Sequence, residues 1–162
     1  MEDGIKLSKS DVAVFCSIYP VDQIFVQNAT LYPDRREVVV TCAIPPGVPY
    51  TREPVPYVTK EQQIRCLSQG TYTLVGCLLQ AGMSLLPQRE LPVIGQREFE
   101  ERRDGFGLFY RREDLTYKRN IPRDREFQFT LKLGNVEQKG PFTLADFIIN
   151  GPTQGTVTFV AK

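Results

Sequence analysis

From Cys66 to Leu86 the chain runs for 21 residues without one charged side chain. A helix that packs on one side only keeps charge on the other, so a helix over this stretch must be covered nearly all round. The length is that of a membrane span. The content is not, because Ser68, Gln69, Thr71, Thr73, Gln80 and three glycines keep the run only mildly hydrophobic. Ile64, Leu67, Leu74, Val75 and Leu78 recur at helical spacing as a core stripe, and Gly70, Thr73, Gly76 and Cys77 leave room for other backbone to approach. Just upstream, Thr59 precedes Lys60-Glu61-Gln62 in the pattern of a capping box, which starts the helix there.

Strand signals flank this helix. Gln23 to Leu31 and Glu37 to Ile44 read as a pair joined by Tyr32-Pro33-Asp34-Arg35, a turn in which Pro presets φ and Asp bonds its own backbone. Residues 45–57 hold five prolines and form a stiff, shaped loop outside any sheet ladder. After Pro87 strand patterns return. Leu115, Tyr117 and Ile121 suggest one strand, and Phe127, Phe129, Leu131 and Leu133 alternate with polar residues in the clearest strand of the chain. Pro141 to Ile149 and Gln154 to Val160 follow, separated by the turn Asn150-Gly151-Pro152-Thr153. No repeat or linker divides the chain, so residues 1–162 read as a single α+β domain with one long helix enclosed by antiparallel sheet.

The chain has no His, which excludes Ser-His-Asp and Cys-His catalysis and His-ligated metal unless a partner supplies the imidazole. Twenty basic against nineteen acidic residues give a net charge of +1, and no field argues for nucleic acid or an anionic membrane as partner. Cys16, Cys42, Cys66 and Cys77 have neither metal-ligand spacing nor, for the two on the helix, a bridgeable separation. Buried thiols and a start lacking a basic, cleavable leader point to the cytoplasm, with no metal and no cofactor.

Pro54-Val55-Pro56 before the helix, Gln69 within it, and Leu115-Thr116-Tyr117-Lys118-Arg119-Asn120-Ile121-Pro122 resemble the hotdog fold. In that family a curved antiparallel sheet wraps a central helix, and two copies join their sheets edge to edge. Tyr19, Tyr32, Cys66-Leu67-Ser68-Gln69 with Tyr72, and Tyr117-Lys118-Arg119-Asn120-Ile121-Pro122 are, in order and spacing, similar to FcoT-like long-chain fatty acyl-CoA thioesterases. The resemblance implies a homodimer or higher homo-oligomer acting on an acyl thioester of CoA or a carrier protein. Hotdog dehydratases use a His from the Pro-rich loop and a helix carboxylate. Tyr50 and Arg65 fall near those positions, which disfavours dehydration.

Thioester hydrolysis needs less: a polarised carbonyl and a positioned water. The helix-start amides of Lys60, Glu61 and Gln62 are candidate oxyanion donors. The family's two Tyr and one Asn around a water carry over onto Tyr19, onto Tyr50 or Tyr57, and onto Thr59 in place of the Asn. Each has a plainer reading. Thr59 is a helix cap, Glu61 complements the helix dipole or acts as general base, and the tyrosines pack their rings. Gln69 bonds either sheet backbone or ligand. A non-catalytic acyl-binding or scaffolding domain, and a His-less dehydratase or isomerase, are the competing functions.

Overall fold

The computed structural model describes residues 4–46, 55–80, 97, 100–101 and 108–161, with side chains of strand residues 108–110 and 161 left aside. Its elements run β1 (Ile5–Leu7), α1 (Lys9–Phe15), β2 (Val26–Tyr32), β3 (Glu37–Cys42), α2 (Lys60–Gln80), β4 (Leu108–Tyr117), β5 (Phe127–Lys139), β6 (Phe142–Asn150) and β7 (Thr153–Ala161). All seven strands form one antiparallel sheet in the order β1-β2-β3-β5-β6-β7-β4, with α2 packed against it.

Period-two patterning accounts for the sheet. Along β5, Phe127, Phe129, Leu131 and Leu133 are buried between exposed Gln128 and Lys132. On β6 and β7 the same face carries Ala145, Phe147, Ile149, Val157 and Phe159, all buried. Against these lies α2, 15 of whose 21 residues are buried, which fits the absence of charge along it from Cys66 on. Leu67, Leu74, Val75 and Leu78 form the expected stripe, while Ile64 is only half-buried. The small residues have the role their size suggests. A Cβ at Gly70 would lie 2.9 Å from Leu131 Cδ1, and one at Gly76 would collide with the Phe15 ring.

Several boundaries and elements differ from the sequence expectation. The first strand begins at Val26 because Val21–Gln23 form a short 3-10 turn, and β3 stops at Cys42 rather than Ile44. Ile121 is not in a strand. It is buried beyond the end of β4, and its carbonyl accepts the Val58 N–H at 2.8 Å. Beyond Pro87, where strand patterns were expected, Arg97, Glu100 and Glu101 are helical, with Arg97 paired to Glu101 at 2.9 Å one turn on. The N-terminal helix α1 was not anticipated at all. Ser8 caps it in a full capping box with Asp11, whose carboxyl is held below its ordinary range mainly by the Ser8 hydrogen bonds. Val12, Phe15 and Cys16 then seal α2 from that side.

None of the four cysteines is joined in a disulfide. Cys16, Cys42 and Cys66 are buried, and Cys77 is half-buried with its thiol pushed up to about 12, chiefly by burial. Among the described residues no helix is long and apolar enough to cross a membrane, and no group of three or more His, Cys, Asp or Glu could hold a metal ion.

Candidate functional site: the cleft at the start of α2

Thr59 caps α2 reciprocally. Its hydroxyl accepts the Gln62 N–H at 3.3 Å, and the Gln62 Oε1 accepts the Thr59 N–H at 3.0 Å. The Gln63 N–H reaches the Thr59 carbonyl at 3.0 Å, so the helical ladder begins at Gln63. This corrects the expected set of three amide donors. The Gln62 amide is held by the cap, which leaves Lys60 and Glu61 as the helix-start amides without an intrahelical acceptor. Gln62 itself is fully buried and lies outside the cleft, so its side chain anchors the helix start.

The cleft occupies about 570 Å³ at this helix start. One wall is the chain entering α2: Tyr57, Val58, Thr59, Lys60, Glu61 and Gln63. The other is the end of β4 and the turn after it: Tyr117, Lys118, Arg119 and Asn120. Backbone bonds fasten the two walls together. Val58 donates to the Ile121 carbonyl at 2.8 Å, Arg123 donates to the Pro56 carbonyl at 3.1 Å, and Tyr57 bridges Pro122. Behind them, the Thr153 hydroxyl donates to Gln63 Oε1 at 2.5 Å, and the Lys118 N–H reaches the Pro152 carbonyl at 2.9 Å. The helix start is thereby fixed to β7.

Among the described residues the cleft is lined by three cations, Lys60, Lys118 and Arg119, and one carboxylate, Glu61, and the positive end of the α2 dipole lies at the same place. The balance favours an anion or an oxygen on which negative charge develops. Lys60 Nζ sits 4.9 Å from the centroid of the Tyr117 ring. Burial first, then the carboxylates of Glu113 and Glu61, push the Tyr117 phenol above its ordinary 10. It therefore stays protonated at neutral pH as a hydrogen-bond donor. Tyr57 lies at the mouth with 43% of its surface exposed.

The structure thus brings together Tyr57, Thr59, Lys60 and Glu61 of the sequence candidates, and adds Tyr117. Tyr50 lies outside the described residues. Tyr19 is elsewhere: its ring packs on Tyr72 at 6.5 Å, beside Ser68, eight residues or about 12 Å along α2 from Lys60. Burial pushes its phenol up to about 12, with Tyr72 adding to the rise. Gln69 also lies away from the cleft. Its Oε1 accepts the Phe25 and Val26 N–H groups at 2.8 and 3.2 Å, and its Nε2 donates to the Gln23 carbonyl at 2.7 Å. Of the two readings of Gln69, the contacts are those of the backbone anchor.

Tyr117 is read from sequence as a strand residue and as part of the segment that carries the family resemblance, but not as a site residue. What places it in the site is the crossover of β4 to the far edge beside β7, which no local pattern signals. Compared with protein-family models and with curated proteins, the chain matches none.

Proposed function

We propose that this chain is a hotdog-type acyl thioesterase that binds the thioester carbonyl of an acyl-CoA or acyl-carrier substrate at the start of α2. The carrying observation is the cleft, which gathers Lys60 and Glu61 of the helix start with Tyr57 and Tyr117 around one space. In this reading the two amides take the carbonyl oxygen, and the helix dipole stabilises the charge that develops on it when water attacks. The Tyr117 phenol donates a hydrogen bond, and the Thr59 hydroxyl, whose oxygen already accepts from Gln62, keeps its proton to orient the water. Glu61, the one carboxylate among the described residues lining the cleft, takes the water's proton. Lys118 and Arg119 at the rim attract the phosphates of the carrier. The order of three strands, long helix and four strands supports the hotdog reading, which implies a homodimer.

The test is thiol release from a panel of acyl-CoAs, followed with a thiol reagent. Hydrolysis at some chain length, abolished by a bulky substitution in the cleft such as Thr59→Trp, supports the proposal. Folded protein releasing no thiol above background for any chain length sinks it. The reciprocal Thr59–Gln62 cap specifically favours a second reading, an acyl-binding domain without hydrolysis, because it ties down the hydroxyl that replaces the family's Asn. In that case acyl-CoA binds and stays intact.

A further inference from the structure

Among the described residues that line the cleft, Gln63 is the one polar side chain shut away from water, at 3% exposure. It follows Thr59 and Lys60 by four and three positions, so it shares their face of α2, and helical side chains lean toward the N-terminus. Its contacts follow that lean. Nε2 donates to the Val58 carbonyl at 3.5 Å, and Oε1 accepts from the Thr153 hydroxyl at 2.5 Å. The partners settle which end is which. A carbonyl only accepts, so the end at Val58 is the NH2 group, which leaves the oxygen for Thr153 and makes that hydroxyl the donor.

The amide is therefore held firmly at one end only. Thr153, fully buried at the first position of β7, fixes Oε1 with a short bond. Nε2 carries two hydrogens. Val58 takes one at the outer limit of bonding distance, and the other has no acceptor among the described residues. A buried donor in that state costs free energy until an acceptor reaches it. For packing alone, an apolar pair of the same shape at 63 and 153 serves as well. What the polar pair adds is a donor beside the helix start, where the Lys60 and Glu61 amides also lack an intrahelical acceptor.

We propose that Gln63 Nε2 is a third donor to the substrate oxygen received at the start of α2, and that Thr153 is the positioning residue that holds it there. The inference rests on the reading of this cleft as the place where a thioester carbonyl binds. To the two backbone amides it adds a donor carried by a side chain and anchored in the sheet, so the geometry of the site depends on β7 as well as on α2. Three converging donors accept only an oxygen without a proton of its own, which is what a thioester carbonyl presents.

The probe is a ketone analogue of an acyl-CoA, with a methylene in place of the thioester sulfur, titrated into the full chain and followed by ¹⁵N-resolved NMR. The side-chain NH2 resonances of Gln63 move together with the backbone amides of Lys60 and Glu61. Gln63→Met with Thr153→Val removes both hydrogen-bond partners at once, so the urea midpoint stays within about 0.5 M of wild type while the Kd for the analogue rises at least about tenfold. Thr153→Val alone releases the amide and weakens binding by about threefold or more, and Thr153→Ser restores it. A role in structure alone moves the midpoints and leaves the Kd where it was. The resonance shift in the wild-type chain needs no variant, so it decides even where the double variant is destabilised. Lys60 and Glu61 amides that move while the Gln63 side chain stays, or a folded double variant that binds as tightly as wild type, overturn the role of Gln63 and leave the reading of the cleft standing. An analogue that does not bind, or binds without moving any of the three, overturns both. Binding that moves all three in a protein that releases no thiol supports the donor and removes only the hydrolysis.

Discussion

Replacing Gln69 with Met keeps the length of the side chain and removes its polar head, which separates the structural role of this residue from a role toward ligand. In the wild-type fold Gln69 Oε1 is the acceptor for the N–H groups of Phe25 and Val26, and both of those residues are fully buried. The Gln23 carbonyl loses its donor as well. Each buried backbone donor left unpaired costs about 1–3 kcal/mol, and partial relaxation of the segment before β2 recovers some of it. The expected destabilisation is about 3 kcal/mol, a large share of the total of about 5–15 kcal/mol for a domain. With a urea m-value of about 2 kcal/mol/M, the unfolding midpoint falls by about 1.5 M. Equilibrium urea denaturation followed by circular dichroism measures it. A midpoint shift under about 0.5 M at unchanged m-value, together with lost acyl-CoA binding, refutes the anchoring role and returns Gln69 to the ligand side.

Removing the cap with Thr59→Ala costs about 1 kcal/mol in urea unfolding, while Thr59→Ser retains most of that, because the hydroxyl accepting from Gln62 is what stabilises the helix start. Gly76→Ala destabilises by about 1–3 kcal/mol by driving a methyl into the Phe15 ring, and Phe15→Leu in the same chain recovers part of the loss. Burial raises the folded-state pKa values of Tyr19 and Cys77 to about 12 from their ordinary 10.0 and 9.0, so the folded state holds protons that the unfolded chain releases. Their contribution is intact below about pH 9 and is lost as pH rises from 9 through 12; in thermal melts across that range, Tyr19→Phe flattens the decline above pH 10. Tyr117→Phe lowers the rate of thiol release while acyl-CoA binding changes little, since the phenol proton acts on charge that develops during the reaction.

What could be read from sequence was what local spacing encodes. Thr59 and Gln62 stand three apart just upstream of the charge-free run that begins at Cys66, so the helix start and its burial were legible, and the alternation from Phe127 to Leu133 marked β5 directly. The N-terminal helix was missed although Ser8 and Asp11 carry the same three-residue capping signal, because a seven-residue helix shows only two turns of periodicity. Tyr19 and Tyr57 looked alike as site candidates. What separates them is which turn of α2 each meets, and that is decided by the sheet. Gln69 and Gln62 illustrate the same limit. A buried Gln announces that it bonds something, but strand ends and helix caps far apart in the chain determine what. Tyr117 entered the cleft only through the crossover that carries β4 to the edge beside β7.

In the proposed reaction a substrate carbonyl is received by the Lys60 and Glu61 amides. The most direct measurement is a ¹⁵N-resolved NMR titration of the whole protein with a ketone analogue of an acyl-CoA, in which a methylene replaces the thioester sulfur and the carbonyl remains. The Lys60 and Glu61 amide resonances are expected to move furthest, with Tyr117 and Lys118 following, while the Gln62 and Gln63 backbone amides, already bonded to Thr59, move little. Saturable binding that leaves Lys60 and Glu61 in place contradicts it.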